Sequence, residues 1–234
     1  MTQHKCIIDE CKAIILDMDG VIVDSEPIHG ESFALFLDKL KVPYTEDFIS
    51  DLVGHSIDSN IQTINQVYLH NNPIDLLEGI RIRDALYLSL ITSRQLKPLE
   101  GIEDLLLLCK KKGIKLGLAS SSVREQIDAI LNNLSQNNKQ NINFQTIFDA
   151  TVGGDEVTRK KPAPDIYHKV IKILAIDREN CIAIEDSGAG ISSAKANDIA
   201  CIALKNQYLK ENDSNTADLV INSIHEVVEM INLI

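Results

Sequence analysis

Two aspartates, Asp17 and Asp19, stand two residues apart at the end of the apolar run Ala13-Ile14-Ile15-Leu16, and Gly20 follows them. Residues i and i+2 of an extended chain point the same way, so both carboxylates can face one pocket. Gly20 lets the chain turn directly afterwards. Two like charges this close are unfavourable unless a cation or a shared proton separates them. Hard divalent cations take oxygen ligands, which makes Mg²⁺ the natural companion. An ordinary turn at a strand end also uses aspartate, and the pair alone leaves both readings open. Three other groups have suitable chemistry. Ser120-Ser121-Ser122 offers hydroxyls and backbone N–H groups ahead of a helical stretch, either an anion site or a simple helix cap. In Arg159-Lys160-Lys161-Pro162-Ala163-Pro164-Asp165 two prolines stiffen the backbone after Lys161, although basic triplets usually form a solvated face. Glu185-Asp186-Ser187-Gly188-Ala189-Gly190 sets two acids before another helix, where they serve a metal or merely the helix dipole. Gly188 and Gly190 lack the third glycine of a dinucleotide fingerprint, and the acids before them would repel a pyrophosphate. No Gly-x-x-x-x-Gly-Lys-Ser/Thr loop occurs either, so a nucleotide cofactor is rejected.

These residues sit where alternating elements would put a site. Short apolar runs at 13–16, 114–119, 148–152, 181–184, 199–204 and, more weakly, 219–221 read as strands. Between them, helices are expected over 102–112, 123–134, 164–174, 188–196 and 224–231. Gly113 closes the first of these, and 135–143 forms an Asn/Gln-rich surface insertion. Strands alternating with helices imply a doubly wound parallel sheet, an α/β fold that binds ligands at the carboxyl ends of its strands. The stretch 25–96 differs. Helical spacing runs through 27–40, from a Thr45 N-cap to near Gly54, and through 57–70 and 74–93, with no strand signal between. An all-helical cap domain at 25–96 is therefore expected, inserted into a core made of 1–24 and 97–234.

Asp17-Met18-Asp19-Gly20-Val21-Ile22-Val23-Asp24-Ser25-Glu26-Pro27 closely resembles the first motif of the haloacid dehalogenase-like phosphohydrolase superfamily. Within it, the string is similar to the branch that holds β-phosphoglucomutase and small sugar-phosphate phosphatases. Ser120 and Ser121 resemble the second motif, Lys161-Pro162-Ala163-Pro164-Asp165 the third, and Glu185-Asp186 the fourth. The resemblance covers nearly the whole chain, in the right order, and implies a Rossmann-like core. It also implies that Asp17 is a nucleophile forming an aspartyl-phosphate and that Asp19 is the general acid and base. Lys161 would pair with the nucleophile and the phosphate, with Lys160 one residue out of register. Ser120 and the Ser121 amide would hold the phosphoryl group. Mg²⁺ would be held by Asp17, the Asp19 backbone carbonyl and Asp186, with Glu185 supporting its shell. These roles suit the chemistry, because a phosphate ester must have its charge cancelled before an anion can attack it.

The resemblance further implies that the cap chooses the substrate. Val53-Gly54-His55-Ser56 resembles the family's specificity segment, so Gly54, His55 and Ser56 are candidate substrate contacts. Arg83 could replace the family's cap lysine or form a surface ion pair. The mutase's phosphate-gripping arginine is replaced here by Ile57, which favours a phosphatase over a phosphosugar mutase. Phosphonatase chemistry lacks a well-placed cap lysine, and dehalogenation needs no Mg²⁺ site. A non-catalytic binding protein of the same fold is the remaining alternative, opposed by the intact acidic and basic positions. The expected partner is a small phosphorylated metabolite, a sugar or polyol phosphate.

The 234 residues suffice for a sizeable core, and 44% hydrophobic with 24% charged residues is ordinary for a soluble globular protein. A formal net charge of −11 opposes nucleic acid or an anionic membrane as a partner. The five cysteines, Cys6, Cys11, Cys109, Cys181 and Cys201, show neither CxxC spacing nor clustering with histidine. They read as reduced, buried thiols rather than nucleophiles or zinc ligands. The first residues lack a signal-peptide core, and no apolar run is long enough to span a bilayer. A cytoplasmic enzyme acting as a monomer is expected.

Overall fold

Six short apolar runs become the strands of one parallel sheet in the computed structural model, which describes residues 7–207 and 209–233. Cys6 lies outside the described residues. The strands are β1 (Ala13–Leu16), β2 (Lys115–Ala119), β3 (Ala150–Val152), β4 (Cys181–Glu185), β5 (Ala200–Leu204) and β6 (Leu219–Ile221), in the spatial order β3-β2-β1-β4-β5-β6. Every residue of β1 and β4 is buried. That is why these strands read as continuous apolar runs rather than alternating ones. Ala13, Ile15, Cys181 and Ala183 belong to a core cluster with Ile166, Tyr167, Val170, Ile191 and Ala194 from two helices. Ile14 and Leu16, pointing the other way, are equally buried, so both sheet faces are covered.

The chain divides into two compact units, Met1–Asp24 with Leu96–Ile234, and Ser25–Gln95. The second is helical: α1 (Glu26–Lys39), α2 (Glu46–Leu52), α3 (Ile57–Val67) and α4 (Leu76–Ser93). Thr45, Ser56 and Asp75 cap the last three by accepting the amides of Phe48, Ser59 and Glu78. Phe33, Phe36, Leu37, Leu52, Ile61 and Ile64 fill its own core. Helices of the sheet unit are α5 (Ile102–Lys112), α6 (Arg124–Gln136), α7 (Phe144–Ile147), α8 (Asp165–Leu174), α9 (Gly188–Lys195), α10 (Glu211–Ser214) and α11 (Ile224–Asn232).

Helical turns α7 and α10 were not expected, because four residues are too few to show a period. The Asn/Gln-rich 135–143 stretch begins inside α6 and is tied down by its own amides. Asn138 alone donates to the Leu134, Ser135 and Ile142 carbonyls and accepts the Ile142 amide. No helix among the described residues is long and apolar enough to cross a membrane.

Candidate active site

Register brings the first contacts together. Leu16 of β1 pairs with Leu118 of β2 and Ile184 of β4, so the next residues, Asp17, Ala119 and Glu185, come level at the carboxyl ends of three adjacent strands. Between β1 and β4 the strand order reverses direction, the place where open α/β sheets bind ligands. Lys161 reaches this row from the loop before α8, where its bond to Pro162 is cis. Its Nζ donates to Asp17 Oδ1 at 2.7 Å, the Ala119 carbonyl at 2.8 Å and Glu185 Oε1 at 2.5 Å. The Lys161 side chain is 4% exposed, whereas Lys160 is on the surface. The basic triplet is thus split between two solvated residues, Arg159 and Lys160, and one whose side chain is buried.

Asp17, Glu185 and Asp186 are all buried, and each offers an oxygen within 4.8 Å of the others'. Tyr167 donates to Glu185 Oε1 at 2.6 Å, while Glu185 Oε2 is buried with no hydrogen-bond partner among the described residues. Three buried carboxylates around one ammonium leave an excess of negative charge. Burial pushes the Asp17 carboxyl up to about 8 despite the pull of Lys161, with Glu185 and Asp19 adding to the rise. Burial also opposes the charged form of Lys161, yet Asp17 and Glu185 together hold its ammonium above the usual lysine range. An all-oxygen donor set with surplus charge and an unmet buried oxygen fits a hard divalent cation. Close backbone packing keeps the carboxylates there. A Cβ on Gly20, at φ +78°, would fall 1.8 Å from Asp186 Oδ2, and one on Gly190 would fall 1.8 Å from Glu185 Oε2. Only glycine fits at either position.

Asp19 stands apart from the triad. Its Oδ2 accepts a 3.0 Å hydrogen bond from Ser122 Oγ. Ser120 is buried, and its Oγ accepts the Ser122 amide. Neither Ser120 nor Ser122 caps α6. The amide of Arg124 is taken instead by Asp155, so these serines are not spent on the helix end. At α9 the N-cap is Ser187, whose side chain accepts the Gly190 amide. Asn206, in the loop after β5, donates to Asp186 Oδ2 at 2.8 Å. Ser122, Tyr167 and Asn206 were not singled out from the sequence. Ser122 carried a signal only as the last of the serine run, and Asn206 as a polar residue just past a buried strand on the carboxyl side of the sheet.

In the helical unit, Gly54 and His55 are exposed and Ser56 caps α3. Of the two readings of Arg83, a cap-lysine substitute or a surface ion pair, burial removes the second. Its side chain is fully buried, its guanidinium lies 4.9 Å from the Phe33 ring centre and 4.6 Å from that of Tyr87, and it pairs with Asp84 and His29. Packed this way it presents no charge to solvent. Cys11, Cys109, Cys181 and Cys201 are free thiols, and burial pushes Cys11 and Cys109 up to about 12, which keeps them unreactive.

The sequence and the fold are similar to those of known proteins. Residues 14–204 match the family described as haloacid dehalogenase-like hydrolase. A phosphorylated carbohydrates phosphatase of Thermotoga maritima is 30% identical over 79% of this chain and 81% of its own length. A beta-phosphoglucomutase of Bacillus subtilis is 29% identical over 92% and 94%. Among solved structures, CbbY from Rhodobacter sphaeroides in complex with xylulose-1,5-bisphosphate shares the fold. It has a TM-score of 0.79 at 24% identity, covering 92% of this chain and 96% of that one. The chain belongs to the haloacid dehalogenase-like hydrolase family, in its sugar-phosphate branch.

Proposed function

We propose that this enzyme is a Mg²⁺-dependent phosphatase acting on a small phosphomonoester, a sugar or polyol phosphate, through an aspartyl-phosphate at Asp17. It is a phosphoric monoester hydrolase by family, and two relatives named for sugar-phosphate chemistry support the substrate class. The observation that carries the reading is the Asp17 carboxylate. It is buried at a strand end, shares Lys161 with Glu185, and has an Asp186 oxygen within 4.8 Å. Mg²⁺ would be held by Asp17, Asp186 and the Asp19 carbonyl with Glu185 behind, and supplies positive charge against the phosphoryl oxygens.

Asp17 attacks phosphorus, while Lys161, the Ser120 hydroxyl and the Ser121 N–H hold the phosphoryl oxygens. Asp19 protonates the departing ester oxygen, then takes a proton from the water that cleaves the aspartyl-phosphate. The helical unit acts as a cap that selects the substrate through Gly54, His55 and Ser56. A role for Arg83 would require its ring stack to open.

Hydrolysis of p-nitrophenyl phosphate with Mg²⁺, its loss in EDTA, and a phosphoryl group trapped on the Asp17 peptide by rapid quench are the expected results. Full turnover by Asp17→Asn, with deamidation excluded by mass, would refute covalent catalysis. β-Glucose 1-phosphate with a bisphosphate primer should give free phosphate, and glucose 6-phosphate instead would identify a mutase.

A further inference from the structure

The third residue of the serine run is unassigned by the roles above, yet its side chain touches the proposed acid–base residue. Ser122 Oγ donates to Asp19 Oδ2 at 3.0 Å. The serine is itself fixed through its backbone. Its amide donates to Ser120 Oγ at 3.0 Å, and its carbonyl accepts the Gly154 amide at 2.8 Å. Gly154 begins the turn after β3, so the hydroxyl is anchored to the exits of two strands, β2 and β3, and reaches across to a third, β1. Asp19 is a partly exposed carboxylate beyond the end of its strand. A hydrogen bond to one of its oxygens from a neighbouring loop narrows the directions that the carboxylate can take.

We infer that Ser122 is a positioning residue for proton transfer by Asp19, an assignment that rests on the phosphatase reading above. In the first half-reaction the bond between Asp17 and phosphorus forms as the bond from phosphorus to the ester oxygen breaks. The proton on Asp19 passes to that oxygen and leaves with the alcohol. The Ser122 hydroxyl stabilises the carboxylate left behind. In the second half, the Asp19 carboxylate takes one proton from water as the hydroxyl oxygen bonds to phosphorus and the bond from phosphorus to Asp17 breaks. Phosphate is released and Asp19 is again protonated. Ser122 keeps its own proton throughout.

Leaving-group chemistry separates this role from mere packing. An alkyl phosphate expels a basic alkoxide and needs the proton, whereas p-nitrophenyl phosphate expels a stable phenolate and hardly needs it. The measurement is kcat/KM with Mg²⁺ for p-nitrophenyl phosphate and for glycerol phosphate, in wild type, Ser122→Ala, Ser122→Thr and Asp19→Asn. Ser122→Ala should lose about tenfold more on the alkyl than on the aryl ester, and Ser122→Thr, which keeps the hydroxyl, should recover most of that difference. Asp19→Asn should show the same bias, larger. Equal losses on both esters in Ser122→Ala, or no recovery in Ser122→Thr, while Asp19→Asn keeps its bias, overturn the assignment and leave the phosphatase reading standing. Absence of bias in Asp19→Asn itself overturns both.

Discussion

Asp17 shares one lysine with Glu185 and lies against Asp186, so its ionised form is crowded by like charge as well as buried. Burial, with the charges of Glu185 and Asp19, pushes its carboxyl up to about 8, against about 3.9 for an unfolded aspartate. A carboxyl raised on folding lends stability that is complete below the unfolded value and is lost as pH rises through the folded one. In EDTA, the wild-type melting midpoint should therefore fall between about pH 4 and pH 8 relative to Asp17→Asn, which cannot ionise. At neutral pH the inactive variant should be the more stable by on the order of 1 kcal/mol, a shift of about 2–4 °C for a chain of this size. Mg²⁺ should close the gap by raising the wild type. Parallel pH profiles of the two midpoints would contradict the electrostatic account. At this scale, Asp17 and Lys161 were legible because their neighbours mark them, an apolar run in one case and paired prolines in the other. The contacts of Ser122, Tyr167 and Asn206 were not, since each depends on what faces the side chain in three dimensions.

Strand exits and helix starts are packed so closely that single atoms decide geometry. At the start of α9, Gly190 leaves the room that Glu185 Oε2 occupies, and any Cβ there would overlap it at 1.8 Å. Gly190→Ala must push the fully buried Glu185 off Lys161 and Tyr167, or displace the helix from β4. The expected outcome is a loss of about 1–3 kcal/mol in denaturant unfolding, typical of overpacking. Mg²⁺-dependent turnover should fall far more than the folded fraction does. Wild-type activity in that variant would show that Glu185 can be moved without consequence. Helices of seven residues or more were readable from period and caps, as with the Thr45 cap of α2. The short α7 and α10, and the local order of 135–143, were hidden because they depend on side-chain amides closing on nearby carbonyls rather than on any repeat.

For the whole molecule, a net charge of −11 must be reconciled with an anionic substrate, and the reconciliation is local: Lys161 and the cation suited to the carboxylate triad. The two crossings from the sheet unit into the helical one lie side by side. Val23 bridges Pro98 in antiparallel fashion, and the Leu99 amide donates to the Ile22 carbonyl at 2.8 Å. An insertion that leaves and returns at neighbouring points imposes little loop-closure cost on its host, and each unit has its own apolar core. Replacing 25–95 by a short Gly/Ser linker should therefore leave a sheet unit that unfolds cooperatively, followed by circular dichroism in urea. All groups of the proposed chemistry lie in that unit, so Mg²⁺-dependent hydrolysis of p-nitrophenyl phosphate should persist at a reduced rate. Selectivity across a panel of sugar and polyol phosphates should flatten, because the proposed specificity loop has gone with the insertion. A folded, truncated protein that still ranks the panel as wild type does would move substrate choice out of the helical unit and onto the strand-end loops.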